Sequence, residues 1–303
     1  MEKPLYNIVY GMSIINLKEV SKIYGFGDAT TVALEEVSLS IDENEFIAVM
    51  GPSGSGKSTL MNIIGLLDRP TYGNYMLNKR SVDKIRTSRR AKIRRDTIGF
   101  VFQSFNLLPR LNVLENVALP LAYKGVGLNR RLKMAEAMLD KVGMADKKYF
   151  FPNHLSSGQS QCVAIARALV NNPKIIIADE PTGNLDSASS RLVMELFSEI
   201  HKSGSTILLV THNPEITRYA SRVVYMHDGS VLVDEATKIG EVAETAKKVM
   251  YKAPKKTIED DLAGVSAIMD AIPQKNHHAK KKTAKHKKPV PKKRKNNIKR
   301  KKS

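Results

Sequence analysis

Gly51-Pro52-Ser53-Gly54-Ser55-Gly56-Lys57-Ser58-Thr59 follows directly on the apolar run Phe46 to Met50 and opens a stretch of helical spacing, Ser58 to Leu67. A glycine-rich loop between a strand and a helix, closing on Gly-Lys-Ser, is the pattern G-x-x-x-x-G-K-[S/T] in the context its chemistry requires. The glycines let backbone amides turn inward onto phosphate oxygens, and the helix aims its positive end at the same anion. Lys57 would contact the β and γ phosphates and Ser58 would ligate Mg²⁺.

Working outward, short runs rich in Ile, Val and Phe recur at Ile14 to Leu17, Val37 to Ile41, Ile98 to Phe102, Ile175 to Ala178, Thr206 to Val210 and Val223 to Met226. Stretches of helical spacing lie between them, among them Ala164 to Val170 and Ser189 to His201. The alternation predicts an α/β fold on a mixed, mostly parallel sheet, and turn residues near Asn74 to Leu77 and within Val223 to Val233 predict added antiparallel strands. Ser88 to about His154, with Leu111, Val113, Leu114, Val117, Leu119 and Leu121 followed by helix formers, reads as a largely helical insertion. The run Ile175 to Ala178 ends in Asp179 and Glu180. One carboxylate at a strand's end can hold the Mg²⁺ shell, and its neighbour can polarise a water for attack on a γ phosphate. An apolar strand followed by an acidic turn is commonplace, and the phosphate loop is what gives this one its meaning.

Three further pieces narrow the class. Leu155-Ser156-Ser157-Gly158-Gln159 precedes the helical Val163-Ala-Ile-Ala-Arg167-Ala-Leu, Gln103 follows the strand run Ile98 to Phe102, and His212 follows Thr206 to Val210. In this order they resemble the nucleotide-binding domain of ABC transporters, over about Met12 to Glu235. Phe100 to Pro109 and Asp179 to Asp186 resemble its MacB/LolD/FtsE-type branch. The resemblance implies a P-loop NTPase of ABC type over residues 12–237, with a helical subdomain at about 88–154 and with ATP and Mg²⁺ as cofactors. Tyr24 would stack on adenine, a core or strand-edge tyrosine being the other reading. Ser58, Gln103 and Asp179 would surround Mg²⁺, Glu180 would be the general base, and His212 would hydrogen-bond the γ phosphate and orient the water.

The same resemblance implies an assembly. Leu155, Ser156, Ser157, Gly158 and Gln159 would complete the ATP site of an opposed subunit, in a homodimer or heterodimer, and Asn184, Leu185 and Asp186 would touch that subunit. Phe105, Leu107, Leu108 and Pro109 either form a core stripe or line a groove for a short helix of a membrane permease of MacB or FtsX type, carried on a separate chain. The implied activity is ATP hydrolysis driving efflux or extraction from the membrane. An FtsE-like regulatory ATPase is the alternative. The setting is cytoplasmic, peripheral on the inner face of the cell membrane. The chain departs from the family at Ser157, where a glycine is usual, at Ser160, and at Cys162, where an Arg is usual. If the backbone needs positive φ at Ser157, the departure costs on the order of 1 kcal/mol and slows turnover.

Charge adds a separate question. Of the formal +19 on 303 residues, fifteen charges fall between Lys275 and Ser303, where there is no Asp or Glu, which leaves +4 for the first 274 residues. That Lys-rich stretch, 274–303, is expected to be disordered, behind a short helical extension at 238–273 and opposite an N-terminal extension at 1–11. The tail reads as a solvated extension, as a contact with anionic lipid, or as a nucleic-acid contact. It lacks aromatic residues for base stacking, and the chain shows neither tandem ATPase units nor a long coiled coil, so a nucleic-acid ATPase is disfavoured. No stretch reaches the roughly 18 to 20 apolar residues of a membrane span, and the lone Cys162 excludes an intrachain disulfide.

Overall fold

The computed structural model describes residues 13–26 and 29–236. The chain opens with strands β1 (Ser13–Tyr24), β2 (Thr31–Asp42) and β3 (Phe46–Met50), then helix α1 (Lys57–Ile64), strands β4 (Tyr72–Leu77) and β5 (Arg80–Ser81), helix α2 (Thr87–Thr97) and strand β6 (Ile98–Phe102). Helices α3 (Val113–Tyr123), α4 (Leu128–Lys141) and α5 (Ser157–Leu169) follow. Strand β7 (Ile175–Asp179), helix α6 (Ser187–Lys202), β8 (Thr206–Val210) and the hairpin β9 (Arg222–His227) and β10 (Ser230–Ala236) complete it. The extensions expected at 1–11 and 238–273 and the tail at 274–303 lie outside the described residues.

Six strands form one sheet in the order β10-β9-β3-β8-β7-β6, parallel except for β10, and four form an antiparallel sheet in the order β2-β1-β4-β5. The central strands are continuous apolar runs because both faces are covered. Ile47, Val49, Ile175, Ile177, Leu208 and Val210 point into a core shared with α1 and the antiparallel sheet. Their alternate neighbours Phe46, Ala48, Ile176, Ala178, Ile207 and Leu209 point into a second core beneath α5 and α6. Arg222 links the sheets, bonding Asp234 through Nε (2.5 Å) and the carbonyl of Ser40 (2.9 Å).

A third core joins α3, α4 and one face of α5 through Val113, Val117, Leu121, Leu139, Val163 and Ala166. The helical layer therefore begins after β6. The stretch 88–154 contains β6, which is a strand of the main sheet, and α2, whose Ile93 packs on the first core. Helix α1 also ends sooner than Leu67. Gly65 lies under the Phe100 ring, where a Cβ would come within 2.6 Å, and Leu66 turns left-handed (φ 56°).

The segment between β6 and α3 has no regular structure and is held from below by Asn116. Fully buried, its Nδ2 donates to the carbonyls of Leu108 (3.1 Å), Leu111 (3.0 Å) and Asn112 (3.0 Å), while Oδ1 accepts from the Leu108 amide (2.8 Å). Asn116→Ala removes the acceptor of the Leu108 amide and the side-chain donor of the Leu111 carbonyl, while the Leu108 and Asn112 carbonyls keep the backbone amides of Leu111 and Asn116, and urea denaturation should show a loss of about 1–2 kcal/mol.

Candidate functional site

Loop 51–56 leaves the carboxyl end of β3 at two places where only glycine fits. At Gly51 (φ 149°) a Cβ would lie 2.2 Å from the Met226 carbonyl oxygen, and at Gly56 (φ 93°) 2.6 Å from that of Ala33. Gly56 is the N-cap of α1 and no side chain caps the helix, so its first amides stay open to an anion. The Lys57 ammonium donates to the carbonyls of Gly51 (2.9 Å) and Pro52 (2.7 Å), closing the loop on itself. Burial lowers the Lys57 pKa, with Glu180 and Asp179 pulling the other way.

Asp179 and Glu180 end β7 beside β8. Burial raises the Asp179 pKa, and the neighbouring Glu180 charge adds to this while Lys57 offsets part of it. Glu180 takes a left-handed backbone (φ 46°), and its amide donates to the Val210 carbonyl at 2.9 Å. That turn brings its carboxylate to the end of β8, where Thr211 Oγ1 donates to Oε2 (3.3 Å) and His212 Nδ1 lies 2.7 Å from Oε1. With Glu180 ionised, the proton of that bond sits on Nδ1. Lys57, Asp179, Glu180 and His212 thus form one group.

Gln103 leaves the end of β6 and meets Asn184 instead. Its Nε2 donates to Asn184 Oδ1 (3.3 Å), and Asn184 Nδ2 donates to the Gln103 carbonyl (3.1 Å). Gly183 makes room for this, since a Cβ there would stand 2.7 Å from Gln103 Nε2. Leu185 packs against the second core. Asp186 caps α6, accepting from the amides of Ala188 (3.0 Å) and Ser189 (2.9 Å) and from Ser189 Oγ (2.7 Å), and the bonds from Ser189 hold its pKa down. Tyr24 ends β1 and hydrogen-bonds Asp68.

The segment from Leu155 stands apart from this group. Leu155 packs on the helical layer. Ser156 is the N-cap of α5 and forms a reciprocal box with Gln159, each side chain accepting from the other's amide (3.2 and 3.0 Å). Ser157 is the first residue of α5 and is not in the left-handed region, so the strain expected for a non-glycine residue there does not arise. Gly158 faces α6, where a Cβ would meet Ser189 Oγ at 2.7 Å. Cys162 is half-buried against the helical layer, and burial raises its thiol pKa.

Some residues that shape the site gave no sign of it in the sequence. Arg167 donates to the carbonyls of Phe105 (2.7 Å) and Asn106 (2.6 Å), two consecutive left-handed residues shortly after Gln103. Gln161, fully buried, donates to the Pro181 carbonyl at 2.7 Å. A cavity of about 730 Å³ opens beside this bend, lined by Phe100, Phe102, Leu119, Tyr123, Arg95 and Arg167 among others. Phe105, Leu107, Leu108 and Pro109 do not line it. The left-handed pair redirects the chain, and Leu107 packs into the helical layer.

A glycine loop on a parallel strand, closing on a lysine at a helix start, with two carboxylates at the end of the strand next but one, defines a P-loop nucleotide-binding domain. The family model described as ABC transporter matches residues 34–183. The chain is 49% identical over 222 residues to the ABC transporter ATP-binding protein YvrO of Bacillus subtilis, covering 73% of this chain and 97% of that one. It is 45% identical over 238 residues to the macrolide export ATP-binding/permease protein MacB of Hyphomonas neptunium, covering 78% of this chain and 37% of MacB. The ATP-binding cassette MJ0796, solved as a dimer in a post-hydrolysis state with ADP and Pi, matches with a TM-score of 0.68 at 45% identity over 73% of this chain and 98% of that one. The chain belongs to the ABC transporter ATP-binding family.

Because the folded-state pKa of Asp179 is raised, its contribution to stability is full below the ordinary carboxylate value and is lost as pH rises through the folded value. At neutral pH the ionised group is therefore a liability to folding. Scanning calorimetry should find Asp179→Asn more heat-stable than the parent at pH 7.5, with the gap closing as pH falls toward 4.

Proposed function

We propose that this chain is the ATP-hydrolysing subunit of an ABC transporter, working as a dimer around two ATP molecules and driving a membrane permease. The observation that carries the reading is the Glu180 carboxylate, held by Thr211 and His212 beside Lys57 and Asp179 at the mouth of the glycine loop.

The loop amides and Lys57 bind the phosphates, and Glu180 takes a proton from water as its oxygen attacks the γ phosphorus. The bond to the β–γ bridging oxygen breaks, releasing ADP and phosphate. His212 holds Glu180 in place through Nδ1, and with both ring nitrogens protonated its Nε2 would donate to the γ phosphate. The donors of Ser58, Asp179 and Gln103 are hard oxygens that suit Mg²⁺ shared with substrate phosphates. A cation there would also relieve the buried Asp179 charge, and bound Mg²⁺ would supply neutralisation of the phosphate oxygens. The bond from Gln103 to Asn184 uses Nε2, and Oε1 is the atom that would serve the ion.

Ser156 and the open amides at the start of α5 suit the γ phosphate of an ATP held by a second copy, with Asn184, Leu185 and Asp186 lying along the contact. The dimeric MJ0796 cassette supports this arrangement. The MacB relatives, named for both ATP binding and permease, support a permease partner and an efflux role. Among the described residues no helix is long and apolar enough to cross a membrane, so none of them supplies the pathway itself. The cavity beside Arg167 suits the permease's docking segment, which would place the chain on the inner face of the membrane.

Glu180→Gln should lower kcat for phosphate release by about 10²- to 10³-fold while ATP binding persists, and in ATP the variant should elute as a dimer on gel filtration. Equal phosphate release from the parent chain and the variant would refute hydrolysis at this site.

A further inference from the structure

Tyr24 sits at the end of a strand with 40% of its surface exposed, a position in which an aromatic ring has little to hold it still. Here two contacts hold it. Its hydroxyl donates to Asp68 Oδ2 at 2.8 Å. Lys22, two residues earlier and therefore on the same face of β1, donates to Asp68 Oδ1 (2.9 Å) and to the Arg69 carbonyl (2.9 Å). The Lys22 ammonium also lies 4.7 Å from the Tyr24 ring centroid, within cation–π range.

Asp68 completes the clamp from the other side. Burial pushes its pKa up, but hydrogen bonds from Lys22, the Arg69 amide and Tyr24 outweigh this and hold the carboxyl below its ordinary value. Burial and Asp68 together raise the Tyr24 pKa, with Thr59 acting in the opposite direction, so the phenol keeps its proton as a donor. Asp68 follows the end of α1, and Thr59 lies in its first turn. The ring is thereby tied to the helix that begins in the phosphate loop.

We propose that Lys22 and Asp68 are positioning residues that lock Tyr24 as a preformed platform for the nucleotide base, with Lys22 covering one ring face and the other left for stacking. The proposal rests on the reading of Tyr24 as the base-stacking residue and deepens it. Stacking alone needs only the ring, whereas this arrangement also needs the phenol hydroxyl, the Lys22 cation and the Asp68 carboxylate. A ring that must be ordered anew at each binding event gives up affinity for the base while leaving the phosphate contacts untouched.

The test is titration of the full chain with Mg·ADP and, separately, with Mg·pyrophosphate, which lacks the base. Tyr24→Phe, Lys22→Met and Asp68→Asn should each weaken ADP binding about two- to tenfold with pyrophosphate affinity unchanged, and Lys22→Arg, which keeps the cation, should restore most of the loss. The proposal is overturned if Tyr24→Phe and Lys22→Met bind ADP like the parent while Tyr24→Ala does not, since the bare ring then suffices. It is equally overturned if pyrophosphate affinity falls in step with ADP, which would mark damage to the loop. Unchanged ADP affinity in Tyr24→Ala would remove the stacking reading itself.

Discussion

Parallel register between β3, β8 and β7 is the constraint on which the rest depends. Val49 and Asp179 both stand opposite Val210, so the three strands end level with one another. Each is buried on both faces, and a slip of one residue would exchange its two apolar sets between the cores. The register cannot drift, and so the glycine loop, the acidic pair and the Thr211–His212 corner leave the sheet side by side. Ligands of open parallel sheets bind outside the strands' carboxyl ends for this reason.

What gathers there is costly to the fold. An ammonium whose pKa burial lowers faces a carboxylate whose pKa burial raises, and each softens the other only in part. Glu180 adds a left-handed backbone, which a non-glycine residue adopts at some expense. Strain and desolvation are concentrated within a few residues, while the strands beneath them are apolar and fully paired. This is the distribution expected of a site shaped by its chemistry rather than by stability.

The motif residues were legible because their signal is local. Gly51 to Thr59 carries its meaning in nine consecutive positions, and the limits of β3, β6 and β8 coincide with the runs read from the sequence because such strands are apolar along nearly their whole length, Thr206 at the start of β8 excepted. The beginning of the helical layer was not legible, since α2, rich in Arg, and α3, mostly apolar, both read as helices and only their packing shows which core each joins. Arg167 and Asn116 were hidden for a related reason. Their partners are backbone carbonyls, which carry no residue identity, and those of Arg167 lie about sixty positions away. The family glycine that Ser157 replaces needs no left-handed backbone here, because the chain is already helical at that position.

Ser189 touches two motifs at once. The space absent at Gly158 is filled by its side chain, and its hydroxyl and amide hold Asp186. The start of α5 and the loop before α6 thus meet on a single small side chain of α6. Positions 158, 186 and 189, scattered along the chain, therefore share one packing constraint, since a Cβ at 158 would displace the side chain that holds Asp186.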